Sequence, residues 1–118
     1  MADEAKGISE VEFLHGRQVV GIEFDSMVVF ERGDRKEPTL YARVDHPVLN
    51  GADDLTALVG KIVSATSTIG GALTLRFEDG ASLCSAPDPD YEAWEVVGDF
   101  PQTLVVCMPG GELAIWGQ

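Results

Sequence analysis

The sequence predicts a mainly β protein, an antiparallel sandwich or partly open barrel of about nine short strands with one short helix. Three observations carry that expectation. Apolar and polar residues alternate at period two over most of the chain, as in Leu73-Thr74-Leu75-Arg76-Phe77-Glu78. The runs are short and separated by turn formers such as Asn50-Gly51, Asp79-Gly80 and Pro109-Gly110. Only Leu55, Leu58 and Val59 recur at helical spacing.

Taken in order, residues 1–10 carry no apolar periodicity and read as a flexible N-terminal tail, leaving 11–118 as a single β-rich domain. Runs 19–24 and 27–31 read as strands joined by Asp25-Ser26. A polar run over 32–37 leads through Pro38 to a third strand at 39–44, and Asp45-His46-Pro47 and Asn50-Gly51 are turn chemistry. Asp53 is placed to cap a helix of about two turns, which Gly60 ends in the left-handed conformation. Strands resume at 62–68, and Gly70-Gly71 precedes the alternating run. There Leu73, Leu75 and Phe77 face the core while Thr74, Arg76 and Glu78 face outward. Asp79-Gly80 returns the chain along 81–85. Pro87 and Pro89 then interrupt pairing, because neither donates to a ladder. Strands at 91–97, 103–108 and 112–116 complete the chain as a C-terminal hairpin unit, 91–116, with Pro109-Gly110 central in a type II turn and Trp116 closing the sheet.

The two halves resemble one another. Leu14-His15-Gly16-Arg17-Gln18-Val19 aligns with Leu58-Val59-Gly60-Lys61-Ile62-Val63, and, after a three-residue gap, Phe30-Glu31-Arg32-Gly33 aligns with Phe77-Glu78-Asp79-Gly80. Half-repeats over 14–45 and 58–86 predict two related meanders, face to face or around a small barrel, with the C-terminal hairpin added to them.

Twenty acidic residues against eight basic ones give a formal charge of −12. Such a surface repels phosphate backbones and anionic bilayers, so neither nucleic acid nor membrane is expected as a partner. Acidity serves solubility, and it also steers a basic protein partner onto the surface. The first residues are polar and acidic where a secretory signal is basic and then apolar, and no apolar run reaches about 18 residues. The expected location is cytoplasmic. Cys84 and Cys107 lie in strand contexts with no Cys-x-x-Cys partner and read as small core side chains, although a bridge between neighbouring strands is geometrically open. Nothing in the composition sets the oligomeric state.

No nucleophile elbow, phosphate loop, zinc-protease or dinucleotide signature is present, and His15 and His46 have no nucleophile motif beside them. The expectation is no catalytic residue, no metal and no cofactor. Asp88-x-Asp90-x-Glu92 has alternating carboxylates, but Ala93 occupies the position where a calcium loop requires glycine. A proline-stiffened turn with aspartates on backbone amides fits better. On a strand over 91–97, Glu92, Trp94 and Val96 share one face and Tyr91, Ala93, Glu95 and Val97 the other. Either face carries a carboxylate. The strand is then an edge with both glutamates in water, or an acidic recognition spot beside an aromatic anchor. Candidate binding residues are Asp88, Asp90, Glu92, Trp94 and Glu95. They suit a non-enzymatic acidic binding protein. The alternative is a small-ligand-binding β module whose mouth is lined by Trp94, Tyr91 and Trp116; an enzyme would need Glu92 buried in a cleft.

The Leu-x-Gly-[Arg/Lys]-x-Val opening, Leu75-Arg76-Phe77-Glu78-Asp79-Gly80, Asp88-Pro89-Asp90-Tyr91-Glu92-Ala93-Trp94-Glu95 and Pro109-Gly110-Gly111-Glu112-Leu113-Ala114-Ile115-Trp116 together resemble a family of small uncharacterised actinobacterial proteins, a domain of unknown function. The resemblance runs from Leu14 onward and implies no catalytic residues. In style, though not in motif, the chain is similar to the immunity proteins of bacterial toxin systems. That likeness implies an inhibitor covering the basic active site of a toxin.

Overall fold

The computed structural model describes residues 9–31, 40–99 and 102–116. Most of the expected N-terminal tail, and the polar run with Pro38, therefore lie outside the described residues. Among those described are ten strands: β1 (Val19–Glu23), β2 (Met27–Phe30), β3 (Tyr41–Val44), β4 (Val48–Asn50), β5 (Val63–Ser67), β6 (Leu73–Phe77), β7 (Ser82–Ser85), β8 (Trp94–Asp99), β9 (Gln102–Cys107) and β10 (Leu113–Trp116). They form two antiparallel sheets, one in the order β1-β2-β3-β8-β9-β10 and the other β4-β7-β6-β5. The mainly β, antiparallel architecture is as the alternation predicts.

Three details differ from the sequence reading. The helix is a single 3₁₀ turn, Leu55–Leu58, and its cap is Asp54 instead of Asp53: the Asp54 carboxylate accepts the Ala57 N–H. Leu55 and Leu58 are three residues apart, so the tighter turn buries both, and Val59 is thrown outward in an extended conformation. Gly60 does adopt positive φ, at 95°. The corner after β3 contains an extra strand, β4, in the stretch that reads as turn chemistry; it pairs with β7 over Val48–Asn50 alone. Finally, β8 begins at Trp94, so Tyr91, Glu92 and Ala93 belong to the preceding loop.

The sheets are joined along one side, where Gln18 and Ile62 form an isolated antiparallel bridge between the approaches to β1 and β5. The resembling segments meet at this seam. Gly16 N–H donates to Val63 O and Gly60 N–H to Val19 O, both at 2.8 Å; Val19 N–H donates to Lys61 O and Val63 N–H to Arg17 O, both at 2.9 Å. The match continues beyond the seam. Glu31 N–H reaches Gln18 O as Glu78 N–H reaches Ile62 O, and a register irregularity falls after Val19 in β1 and after Val63 in β5. The opposite side is open. Among the described residues β4 and β10 are the end strands there, each with one neighbour, so the barrel does not close.

The core lies between the sheets. Leu14, Leu58, Leu73, Leu75, Leu83 and Phe30 are buried there, and each large apolar side chain removed from water stabilises the fold by about 1.5–3 kcal/mol. Trp94 is the largest fully buried side chain. Its indole N–H donates to the Gly71 carbonyl at 2.9 Å, and the Cys107 thiol donates to the same oxygen at 3.3 Å. Gly71 closes the 3₁₀ turn Ile69–Gly71 between β5 and β6 at φ 83°; a Cβ there would lie 2.8 Å from the Gly111 Cα. At the N-terminal end, Ser9 Oγ is 2.5 Å from Thr66 Oγ1, and the Thr68 hydroxyl donates to the Glu10 carboxylate. No helix among the described residues is long and apolar enough to cross a membrane.

Two expectations follow for stability. Trp94→Phe keeps most of the apolar bulk but removes a buried donor, and a loss of about 1–3 kcal/mol is expected as a lower urea midpoint at unchanged slope. Gly71→Ala combines a strained φ with a backbone clash and is expected to cost more than Trp94→Phe in the same titration.

Acid provides the second test. The Thr56 hydroxyl, with the Ala57 amide, holds the Asp54 carboxyl below its ordinary value; a hydrogen bond from the Lys61 ammonium, with the Ala81 amide, does the same for Asp79. A depressed folded value means stability that is fully present above the ordinary aspartate range and is lost as pH falls through the folded value. The melting temperature is expected to drop below about pH 4, with a shallower acid limb in an Asp54→Asn, Asp79→Asn double variant.

Candidate functional site

The loop between β7 and β8 is built around one aspartate. Asp88 Oδ1 accepts the backbone N–H of Asp90 at 2.7 Å and of Tyr91 at 3.2 Å, and its carbonyl accepts Gly110 N–H at 2.9 Å. The Asp88-Pro89-Asp90 corner is thus a turn pinned to the β9–β10 connection. There Gly111 N–H returns to Met108 O across Pro109-Gly110, with Gly110 at φ 89°. Pinning leaves the far side of the loop in water. Asp90, Tyr91 and Glu92 are exposed, Tyr91 by 69%.

The expected site residues therefore separate. Asp88, Asp90 and Glu92 share the loop. Trp94 does not join them as a surface contact: it is 0% exposed, because strand pairing begins at Trp94 and directs it and Val96 into the core. Glu95 points the other way and is held within its own sheet. It lies opposite Arg43, with 4.0 Å between Arg43 Nε and Glu95 Oε2, and it accepts a hydrogen bond from Tyr41. Burial, then the Glu95 charge, pushes the Tyr41 phenol upward. Nor do Trp94, Tyr91 and Trp116 line one mouth. Trp116 pairs with Leu104 at the end of β10 remote from the Pro109-Gly110 turn, and is half exposed instead of closing the sheet. Glu92 is exposed, so the buried carboxylate that an enzymatic role for it requires is not what this loop provides.

Sequence reasoning missed the loop's neighbours. Pairing of β3 with β8 places Val44 opposite Trp94, and Asp45 N–H donates to Ala93 O. The next corner, Asp45-His46, is thereby set against the loop, with Ser85 Oγ donating to Asp45 O at 3.1 Å. His46 adopts φ 48°, in the left-handed region. Between corner and loop is a cleft of about 280 Å³ lined by Asp45, His46, Pro87, Asp88, Tyr91 and small residues. Two carboxylates, an imidazole and a phenol line it; no Lys or Arg belongs to the lining, although Arg43 Nη1 lies 3.3 Å from Asp45 Oδ2. Its volume suits one side chain better than a drug-sized ligand. The ring and carboxylates suit a cation, through Coulomb attraction and a cation–π contact. The sequence signal for the second wall is Asp45-His46-Pro47, which reads as turn chemistry.

The thiols complete the chemistry. Cys107 is buried in β9 and burial pushes its thiol upward, while Cys84 in β7 is half-buried beside the Thr74 hydroxyl. They sit in different sheets and are unbridged. Titration with a thiol reagent is expected to modify Cys84 in the folded protein and Cys107 only on unfolding; Cys84→Ser should abolish the native-state reaction.

The chain matches no curated protein and no solved structure. A family of unknown function matches residues 11–117, a span that contains every described strand. The protein belongs to that family of unknown function, DUF6188.

Proposed function

We propose that the protein is a non-enzymatic binding module that docks a basic segment of a partner protein at the cleft between Asp45-His46 and the 86–93 loop. The observation that carries this reading is the loop itself. Asp90 and Glu92 flank an exposed Tyr91, neither has an ion pair among the described residues, and the adjoining cleft is lined by Asp88 and by Asp45, whose carboxylate Arg43 pairs at 3.3 Å. A formal charge of −12 adds long-range attraction for a cationic surface. In its more specific form the module is an immunity-like inhibitor of a basic bacterial toxin, a reading supported by small size, acidity and the presented carboxylates. A cytoplasmic location is part of the proposal and is supported by the two unbridged cysteines.

The test uses a labelled arginine-rich peptide and fluorescence anisotropy at low ionic strength. Asp90→Asn with Glu92→Gln is expected to weaken binding several-fold, and Tyr91→Ala by about fivefold. A control of equal charge loss elsewhere, Glu31→Gln with Glu78→Gln, should change affinity far less. Melting temperatures should stay level, because these side chains are exposed. Equal weakening by the loop variant and the control would reduce the site to bulk charge and sink the proposal.

A further inference from the structure

The turn between β1 and β2 contains a residue that the fold does not account for. Phe24 is 83% exposed and occupies the left-handed region at φ 54°, followed by Asp25 at φ 61°. Glycine and asparagine adopt that conformation readily, whereas a bulky side chain is strained in it. An exposed phenyl recovers little of that strain by packing within its own chain.

Beside this turn is a second cleft, of about 380 Å³, lined by Ile22, Asp25, Pro47, Leu49, Asp54 and Leu55. Ile22 and Leu49 are partly buried hydrophobics packed on the core, so the floor is apolar and already ordered. The charged part of the rim is acidic, and Thr56 is the uncharged polar residue beside it. Asp25 and Asp54 belong to the lining, Glu23 and Asp53 are exposed next to them in the chain, and no Lys or Arg lines the cleft.

The two clefts share one corner. Asp45 and His46 line the first, and Pro47 and Leu49, the residues that follow, line the second. We infer that this second cleft, beside the turn that presents Phe24, is the other half of a single docking surface: it takes an apolar side chain of the basic partner segment whose cations occupy the Tyr91 cleft. This inference rests on the basic-partner reading proposed above. The acidic rim selects the occupant, because a segment entering an apolar cleft ringed by aspartates must bring positive charge of its own. A second copy of this chain brings another −12 and is the wrong complement. Phe24 and Tyr91 then act as paired aromatic anchors, with Phe24 kept in a strained conformation because that conformation holds the ring clear of its own domain.

The experiment compares two labelled peptides of equal charge, one alternating arginine with leucine and the other arginine with serine. The native chain is expected to bind the leucine peptide about tenfold more tightly, the gain from burying an apolar side chain. Phe24→Asn relieves the strained backbone, so its melting temperature should be unchanged or higher while the preference for leucine collapses. Asp90→Asn with Glu92→Gln should weaken both peptides alike and leave the preference intact. A Phe24→Asn variant that keeps the preference overturns the inference, as does one that melts lower, since Phe24 would then be a packing residue. Equal binding of both peptides by the native chain overturns the apolar cleft and leaves the acidic-cleft reading standing. Failure of both peptides to bind at low ionic strength overturns both readings.

Discussion

The hydrogen bond from the Trp94 indole to the Gly71 carbonyl is the constraint around which this fold is arranged. A tryptophan removed entirely from water contributes more apolar area than any other side chain in this core, but its N–H must find an acceptor inside. The acceptor comes from the opposite sheet, at a turn that only a residue without a side chain can complete. That bond ties the two sheets together on this side, as the backbone bonds of the seam do on the other. It also fixes the site at second hand. Gly71 packs on Gly111, a Cβ on Gly111 would lie 3.4 Å from Pro87, and Gly110 N–H holds the Asp88 carbonyl. The acidic loop is the outermost link of a chain of backbone contacts that begins at a buried indole.

The other side of the structure is organised by repetition. Leu14-x-Gly16-Arg17 and Leu58-x-Gly60-Lys61 each bury a leucine, turn at a positive-φ glycine and exchange backbone bonds with the segment that follows the other. Most bonds of the seam are between main-chain groups, so its side chains differ between the halves: His15 stands where the other segment has Val59, and Gln18, whose side-chain amide donates to Gly60 O at 3.0 Å, where it has Ile62. The added strands β8 to β10 extend only one sheet. That asymmetry places the acidic loop beside the β3–β4 corner.

Period two made most of the strands legible. Leu73, Leu75 and Phe77 are buried as their alternation required, and Asp79-Gly80 and Pro109-Gly110 turn where their chemistry said. What stayed hidden was decided by partners distant in sequence. Val48–Asn50 looks like a loop because Pro47 and Asn50-Gly51 bracket it, and only its pairing with β7 makes it a strand. The sequence left both faces of 91–97 open; the start of pairing at Trp94 resolved them, burying the tryptophan and releasing Glu92. Asp88, Asp90 and Glu92 were visible as a cluster. Asp45 and His46, more than a third of the chain away, were not, and neither was the left-handed Phe24, which read as the end of a strand.

The open side of the molecule has a colloidal meaning. β4 and β10 each expose a row of backbone groups with no neighbour among the described residues, and β10 is Leu-Ala-Ile-Trp, with no charge of its own and two half-exposed side chains. Such an edge is a template for adding further strands, and nothing in its own residues discourages that. The protection is global instead. Copies carrying −12 each repel one another before their edges meet, which opposes such growth. Near the sequence pI of about 4.3 that repulsion vanishes, and edge-to-edge growth becomes the natural failure mode of this fold.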